Sequence, residues 1–250
     1  MTTTASSHFT APTYADVAPP RRSYAHAHWY FLALFAVIMA GFWPTFVRPE
    51  HGRGHSVWGS LHGLTASLWY VGLIAQSWLM SRGQVAWHRR VAKGMVIVLL
   101  PMLVISALVM IPRLLGGPPN LFIAPIRPRI ALGDFVAIAE LIALVALGLR
   151  NRHTPAAHQR YMAATSLLGL GPGLFRLFRN LGMPLRLVPQ VNGLVLPLIL
   201  LVLIAADWRM GERRRWAYPL LLAATVISQV TFPLLASTEW WVAFCRWFAA

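Results

Sequence analysis

The sequence predicts an all-α integral membrane protein with seven transmembrane helices. Hydrophobic residues make up 57% of the 250 positions and charged residues only 12%, whereas a typical soluble domain has about 25% charged residues. The mean hydropathy is +0.58, and 7 acidic residues are too few to cover the surface of a soluble protein of this size. Apolar runs recur near the length of about 17–25 residues that a helix needs to cross a bilayer. Helices are expected because backbone amides inside hydrocarbon need internal partners.

The apolar runs divide the chain into three predicted regions. Residues 1–27 are rich in Thr, Ser, Ala and Pro, and we expect them to be a disordered cytoplasmic tail. Residues 28–236 form the predicted transmembrane domain, and residues 237–250 form an aromatic tail suited to the membrane interface. The seven predicted spans are 29–47, 58–80, 94–111, 130–149, 161–178, 188–206 and 216–236.

The basic residues predict the orientation. A net charge of +15 often indicates nucleic-acid binding, but here the arginines separate apolar runs and form no basic domain, so we expect no nucleic-acid partner. Thirteen of the 22 Lys and Arg residues lie in the N-terminal tail and in the connections after spans 2, 4 and 6. The N-terminus is therefore predicted in the cytoplasm and the C-terminus outside. These Arg-rich cytoplasmic loops should contact anionic lipid headgroups.

An internal repeat is visible at an offset of 70 residues. The segment WHRR at 87–90 opens span 3 much as the segment AHQR at 157–160 opens span 5. Each segment follows a span that ends in an arginine-containing turn. Spans 2–3 and spans 4–5 are therefore predicted to be repeated helix hairpins in parallel orientation.

Polar residues from five spans are expected at one level in the outer half of the bundle. Ionisable groups inside spans cost about 2.5–3.5 kcal/mol each, so they are informative positions. From the helical rise of 1.5 Å per residue, His62, Asp134, Arg176 and Asn192 should lie about one turn below the outer surface. Gln229 should lie about two turns down, and Glu140 near the bilayer centre. The candidate ligand-binding residues are thus His62, Asp134, Glu140, Arg176, Asn192 and Gln229.

Two interpretations of this layer stay open. In the structural one, Asp134 pairs with Arg176 or Arg129 and His62 donates to a backbone carbonyl, which fastens the helices together. In the functional one, the layer lines an outward-facing cavity for a small ligand, a proton or a lipid headgroup. The segment 169–173 (GLGPG) favours a cavity, because it should interrupt span 5 just below Arg176. Broken backbone at membrane depth occurs only where it is buried in protein or lines a water-filled space.

Two histidines at matched positions of the repeat suggest a cofactor. His88 and His158 both open a span on the cytoplasmic side, and facing each other they could be the axial ligands of a haem b. Alternatively, with their neighbouring arginines they would bind phosphates or Asp207. The single cysteine, Cys245, cannot form a cysteine-based metal cluster, and we predict no other metal site. Retinal chemistry is excluded because the only lysine, Lys93, lies outside the spans.

The chain resembles a group of uncharacterised bacterial multi-pass membrane proteins over roughly residues 29–180. The resemblance is carried by an HG pair at His62, an HR turn at His88 and an H-x-R-x-M turn at His158. Ala92 stands where the group has a glycine, and Gly94 follows. The hairpins also look distantly like those of b561-type cytochromes, an analogy of fold alone. The resemblance implies no particular activity.

Three functions are compatible with the sequence. The first is a multi-pass protein of the bacterial inner (cytoplasmic) membrane, of undetermined activity, built on the outer polar layer. The second is a haem b redox protein that uses His88 and His158. The third is an assembly or scaffold subunit of a membrane complex, or a homo-oligomer. The sequence does not decide whether the protein is an enzyme.

Overall fold

The computed structural model describes residues 26–47, 56–117, 124–211 and 216–250, and these form helices joined by turns. The tail expected to be disordered lies outside the described residues apart from its last two positions. The helices are α1 Ala27–Phe42, α2 Val57–Ser81, α3 Val85–Gly94, α4 Leu100–Leu115, α5 Arg127–Arg150, α6 Pro155–Leu167, α7 Leu170–Asn180, α8 Val188–Arg209, α9 Ala217–Leu235 and α10 Glu239–Ala249. A π-helical turn, Trp43–Val47, continues α1, and another, Met95–Leu99, joins α3 to α4 without a break.

Five stretches of the described helices are long and apolar enough to cross a membrane. They are Ala27–Phe46, Val85–Leu115, Arg127–Arg150, Val188–Arg209 and Ala217–Leu235. The protein is therefore all-helical where it is described, with several helices suited to a multi-pass membrane protein. The sequence predicts seven spans, and five of them meet this criterion. Helix α2 has 25 residues but a more polar composition, and the fifth predicted span is divided between α6 and α7.

The third span differs from the prediction at its start. Its helix begins at Val85 rather than at residue 94. Helix α3 is amphipathic, with Arg89, Arg90 and Lys93 exposed, so the helix continues beyond the apolar run that marks the span. His88 consequently lies on this polar extension.

The predicted interruption of the fifth span is confirmed. Helix α6 ends at Leu167 and α7 begins at Leu170. Pro172 has no N–H, so the carbonyl of Leu168 loses its helical hydrogen-bond donor. The chain can therefore change direction at this point.

The described helices form a closed ring. We call the end of the bundle where α1 begins proximal and the opposite end distal. Around the ring, α1 packs on α2, α2 on α4, α4 on α5, α5 on α9, α9 on α8, α8 on α7, and α7 on α1. Helix α6 instead contacts α1, α2, α5 and α9. The fifth span thus runs through the centre of the proximal half and joins the ring in the distal half.

Helix α6 is fixed in the centre by packing and by hydrogen bonds. Most of its residues are buried, among them small alanines that permit close approach of its neighbours. At its distal end, the Trp69 indole donates to the Thr165 hydroxyl at 3.2 Å, and the Tyr70 hydroxyl donates to the Ser166 carbonyl at 2.6 Å.

Helix α7 is held at the perimeter by close contact with α1. A Cβ on Gly41 would overlap the carbonyl oxygen of Gly173, so glycine is required there for the two backbones to meet. The Asn180 side chain adds a hydrogen bond of 2.9 Å to the Gly41 carbonyl. In the ring, α7 therefore packs on α1 and on α8.

Helix α10 closes part of the distal end. Trp241 and Cys245 are buried against Ile111 of α4 and Phe135 of α5, and the Trp241 indole donates to the Pro128 carbonyl at 2.9 Å. The aromatic tail expected at the interface is therefore a helix. One of its faces packs on the bundle, while the Trp240 and Trp247 side chains are 61% and 72% exposed.

Candidate functional site

Three of the predicted polar residues lie on the interior faces of their helices. Residues three, four or seven apart share one face of a helix. His62 of α2, Asp134 of α5 and Asn192 of α8 each have such a relation to buried residues, and each stands near the distal end of its helix. The buried neighbours are Thr65 for His62, Ala131 and Leu141 for Asp134, and Val188 for Asn192.

Arg176 of α7 completes the cluster. Its guanidinium carbon lies 4.3 Å from the centre of the Phe42 ring, and its Nη1 donates to the Pro172 carbonyl at 3.2 Å. The guanidinium is also close enough to interact electrostatically with Asp134 and with His62. These two interactions relate α7 to α2 and α5, while Asn192 of α8 borders Gly171 of α7. We call His62, Asp134, Arg176 and Asn192 the distal cluster.

The expected direct ion pair of Asp134 is absent from the described part of the chain, so this expectation was wrong. Neither Arg176 nor Arg129 lies within 4.0 Å of its carboxylate, and no hydrogen bond joins Asp134 to another described residue. Arg129 is exposed at the start of α5. Arg176 is engaged by its own helix and by α1, across the ring from α5. The two opposite charges therefore face each other without contact.

His62 has a side-chain partner where a backbone carbonyl was expected. Its Nδ1 lies 3.4 Å from the Ser106 hydroxyl of α4, and the Thr65 hydroxyl lies 3.2 Å from the same oxygen. Sequence reasoning missed Ser106. The available signal was that Ser106 is the one hydroxyl residue in the otherwise apolar predicted span 94–111.

Asn192 has a buried polar atom without a partner. Its Oδ1 is buried, and no hydrogen bond joins it to another described residue. Its Nδ2 borders Gly171, where a Cβ would lie 3.9 Å away. An unpaired buried acceptor costs about 1–3 kcal/mol, so this site favours a donor from water or a ligand.

Gln229 and Glu140 lie apart from the distal cluster. Gln229 is exposed and donates to the Gly193 carbonyl of α8 at 2.6 Å. That carbonyl lacks its helical donor because Pro197 stands four residues later, so Gln229 fastens α9 to α8. Glu140 is half-buried and lies about 100° around α5 from the stripe that holds Asp134 and Leu141.

A second polar centre lies at the proximal end. The Arg160 guanidinium donates to both Asp207 oxygens, at 2.7 Å from Nε and 2.6 Å from Nη2, and its Nη1 donates to the Ala156 carbonyl at 2.8 Å. Both charged side chains are 1% exposed. Among the residues that the structure describes, Arg160–Asp207 is the one ion pair within 4.0 Å, and it joins α6 to α8.

The rings of His88 and His158 contact each other, and His158 stands two residues before Arg160 in the chain. Their ring centroids are 6.4 Å apart, and the ring planes are inclined by 80°. His158 Nδ1 lies 2.8 Å from the Gly148 carbonyl. A carbonyl only accepts, so this nitrogen carries the proton, and in the neutral ring Nε2 keeps its lone pair. His88 contacts the backbone of Gln76, and its buried Nδ1 has no partner in the described region.

The fold and these two polar centres define a class: a helical protein suited to a membrane, with separate polar sites near its two ends. No protein-family model, curated protein or solved structure matches the chain significantly. The residues themselves are therefore the basis for the function. In the described ranges, no group of three or more His, Cys, Asp and Glu side chains is placed to hold a metal ion.

Proposed function

We propose that the chain is a seven-span protein of a bacterial inner membrane whose distal cavity opens to the outside and binds a small polar ligand. One observation carries the proposal. Asn192 Oδ1 is buried near the distal end and has no hydrogen-bond partner among the described residues, so it needs a donor from water or a ligand. The distribution of Lys and Arg supports an outward-facing distal end.

The free-energy cost of leaving buried polar groups unpaired favours a hydrated cavity over a dry polar layer. A dry layer needs direct hydrogen bonds, because buried polar groups are costly when unpaired. The buried Asn192 Oδ1 makes none with described residues. Water or a polar ligand between the helices supplies this partner. Intramembrane ionisable residues commonly mark such pathways and sites.

Cysteine labelling from the outside tests the cavity. Asn192→Cys, in a Cys245→Ser background, should react with a membrane-impermeant maleimide in sealed cells about tenfold faster or more than a lipid-facing cysteine, because only a hydrated thiol ionises and reacts readily. The matched control is Leu194→Cys, two residues away on the same helix and 63% exposed on its outer face. Equal, slow labelling at both positions would rule the cavity out. Labelling only from inside would reverse the orientation.

His88 and His158 support a second function, a haem b redox protein. The two rings lie on different helices with their centroids 6.4 Å apart, so His88 and His158 are the residues that would hold a haem iron between them. The hydrogen bond from His158 Nδ1 to Gly148 fixes the ring as carbonyls commonly do for metal-binding histidines. Two histidines suffice because a porphyrin supplies the remaining iron ligands. A bound haem would supply one-electron redox chemistry.

A visible spectrum tests the haem proposal. Protein purified in detergent from haem-replete cells should show a sharp reduced α-band after dithionite, with stoichiometric iron. His88→Ala and His158→Ala should each abolish the band, since axial ligation needs both rings. His153→Ala, at an exposed histidine five residues before His158, should leave it unchanged. A colourless, iron-free wild-type protein would remove this candidate.

Anionic lipids are the proposed partners of the proximal end. The guanidinium groups of Arg82 and Arg90 lie 5.5 and 5.0 Å from the ring centres of Trp78 and Trp87. Both tryptophans are exposed. Tryptophan favours the headgroup level of a membrane, so these arginines would stand where lipid phosphates lie.

A further inference from the structure

We infer that a cleft beside α10 binds an anionic phosphate ester, such as the headgroup of an acidic phospholipid. This α10 cleft lies at the distal end, where the end of α4 and the start of α5 meet α10, and its volume is about 400 Å³. Small-molecule sites commonly measure about 300–1,000 Å³. The residues around the cleft include Leu115, Arg127, Pro128, Val242, Cys245 and Arg246.

The α10 cleft is positively charged. Arg127 and Arg246 both line it, and none of the described residues that line it is Asp or Glu. Even with a terminal carboxylate at Ala250 counted, the two guanidinium charges are in excess. Arg246 makes no ion pair within 4.0 Å with a described residue. A guanidinium matches the geometry of a phosphate through two parallel N–H donors, so the cleft suits a phosphate-bearing anion.

The two arginines differ in how firmly they are held. The Arg127 side chain is half-buried, and its Nη1 donates to the carbonyl oxygens of Gly117 and Leu115 at 2.7 and 3.4 Å. Neutral carbonyls orient a guanidinium without cancelling its charge. Arg246 is exposed near the end of α10. One fixed and one adaptable guanidinium can together enclose a phosphate that enters from the surface.

The position of α10 favours a lipid as the source of the phosphate. Trp240 and Trp247 are exposed on this helix, and tryptophan favours the headgroup level of a membrane. The Trp241 indole joins the helix to the Pro128 carbonyl at 2.9 Å. Pro128 and Val242 add apolar surface to the cleft, which suits the glycerol part of a phospholipid. A choline headgroup would place a cation beside the arginines, so an acidic phospholipid fits better.

The reactivity of Cys245 tests the inference, because this residue is the single cysteine of the chain and lines the cleft. Its rate of reaction with N-ethylmaleimide, an uncharged reagent, is measured on the full-length protein in nanodiscs. The discs contain phosphatidylcholine alone, phosphatidylcholine with phosphatidylglycerol, or phosphatidylcholine with free glycerol 3-phosphate outside. An occupied cleft should slow the reaction about fivefold at about 80% occupancy. The melting temperature of the same samples should rise, since the ligand binds the folded state.

The three samples also identify the source of the phosphate. Slowing by phosphatidylglycerol alone identifies a lipid headgroup. Slowing by glycerol 3-phosphate in the phosphatidylcholine discs identifies a soluble ester, which the same two arginines would bind.

Matched variants assign the effect to the cleft. Arg246→Gln should weaken binding about fivefold, as expected for one arginine near a headgroup, so both effects of the ligand should largely disappear. Arg129→Gln removes the same charge from an exposed position at the start of α5, outside the cleft lining, and should leave both effects unchanged. Leu181→Cys in a Cys245→Ser background places a thiol after α7, at a position 74% exposed, and phosphatidylglycerol should not slow its labelling to the same extent.

Three results would overturn the inference. The first is equal labelling rates and equal melting temperatures in all three samples. The second is equal slowing at Leu181→Cys, which would indicate a general effect of the charged membrane surface. The third is equal loss in Arg246→Gln and Arg129→Gln. None of these results bears on the Asn192→Cys labelling, because no residue of the distal cluster lines the α10 cleft.

Discussion

Asp207→Asn is expected to destabilise the protein by about 3–5 kcal/mol, because it leaves the Arg160 guanidinium buried without its counter-charge. Both side chains of the pair are 1% exposed, and two charged hydrogen bonds join them. For a chain of this length, a loss of that size corresponds to a fall in melting temperature of roughly 10 °C. Thermal unfolding in detergent, followed by the fluorescence of the tryptophans, measures it.

The double variant Arg160→Met, Asp207→Leu is the control for this prediction. Removing both charges avoids the unpaired group, and apolar replacements of a buried ion pair are often neutral or stabilising. The double variant should therefore melt above either single variant. Additive losses in the double variant would contradict the interpretation, since independent contributions would mean that the two side chains do not act as a pair.

Gly41→Ala should separate α1 from α7 and cost several kcal/mol. A Cβ at this position would overlap the Gly173 carbonyl oxygen and lies 3.2 Å from the Leu177 nitrogen. These are backbone atoms, which cannot move aside as a flexible side chain can, and overpacking a close interface costs about 1–3 kcal/mol or more. The variant should show a lower melting temperature and faster proteolysis.

Gly94→Ala is the matched control for this helix contact. A Cβ on Gly94 meets nothing within 4 Å, and alanine is favoured over glycine in helices by about 1 kcal/mol. This variant should be as stable as the wild type or more stable. If Gly41→Ala behaved in the same way, the close packing of α1 on α7 would not exist in the membrane protein.

The sequence predicted the helices well and their arrangement poorly. Apolar runs mark helices because hydrocarbon favours apolar side chains and satisfied backbones, and Pro172 identified the interruption of the fifth span. The third apolar run could not mark the start of α3. The helix begins before that run, in an amphipathic segment that contains Arg89 and Arg90. The shift of α7 to the perimeter depends on Gly41 meeting Gly173, residues far apart in the chain.

The common depth of the candidate residues stays a prediction, while their directions depend on how the helices pack. A rise of 1.5 Å per residue gives the level of each residue, and the interior stripes could have placed Asp134 inward and Glu140 off that face. The partner of Gln229 could not be predicted from its position in α9. It is the Gly193 carbonyl of α8, which lacks a helical donor because of Pro197. Long-range pairing of this kind has no local signal. The missing contact between Asp134 and Arg176 likewise depends on the ring that separates their helices.

The two halves of the fifth span differ in what holds them, and this determines how Arg176 could move. Helix α6 is anchored at its proximal end by the Arg160–Asp207 pair and at its distal end by Trp69 and Tyr70. Helix α7, which carries Arg176, begins after a break in the helical hydrogen bonds and meets α1 at its backbone. A displacement of Arg176 would therefore carry α1 and α7 together past the anchored α6.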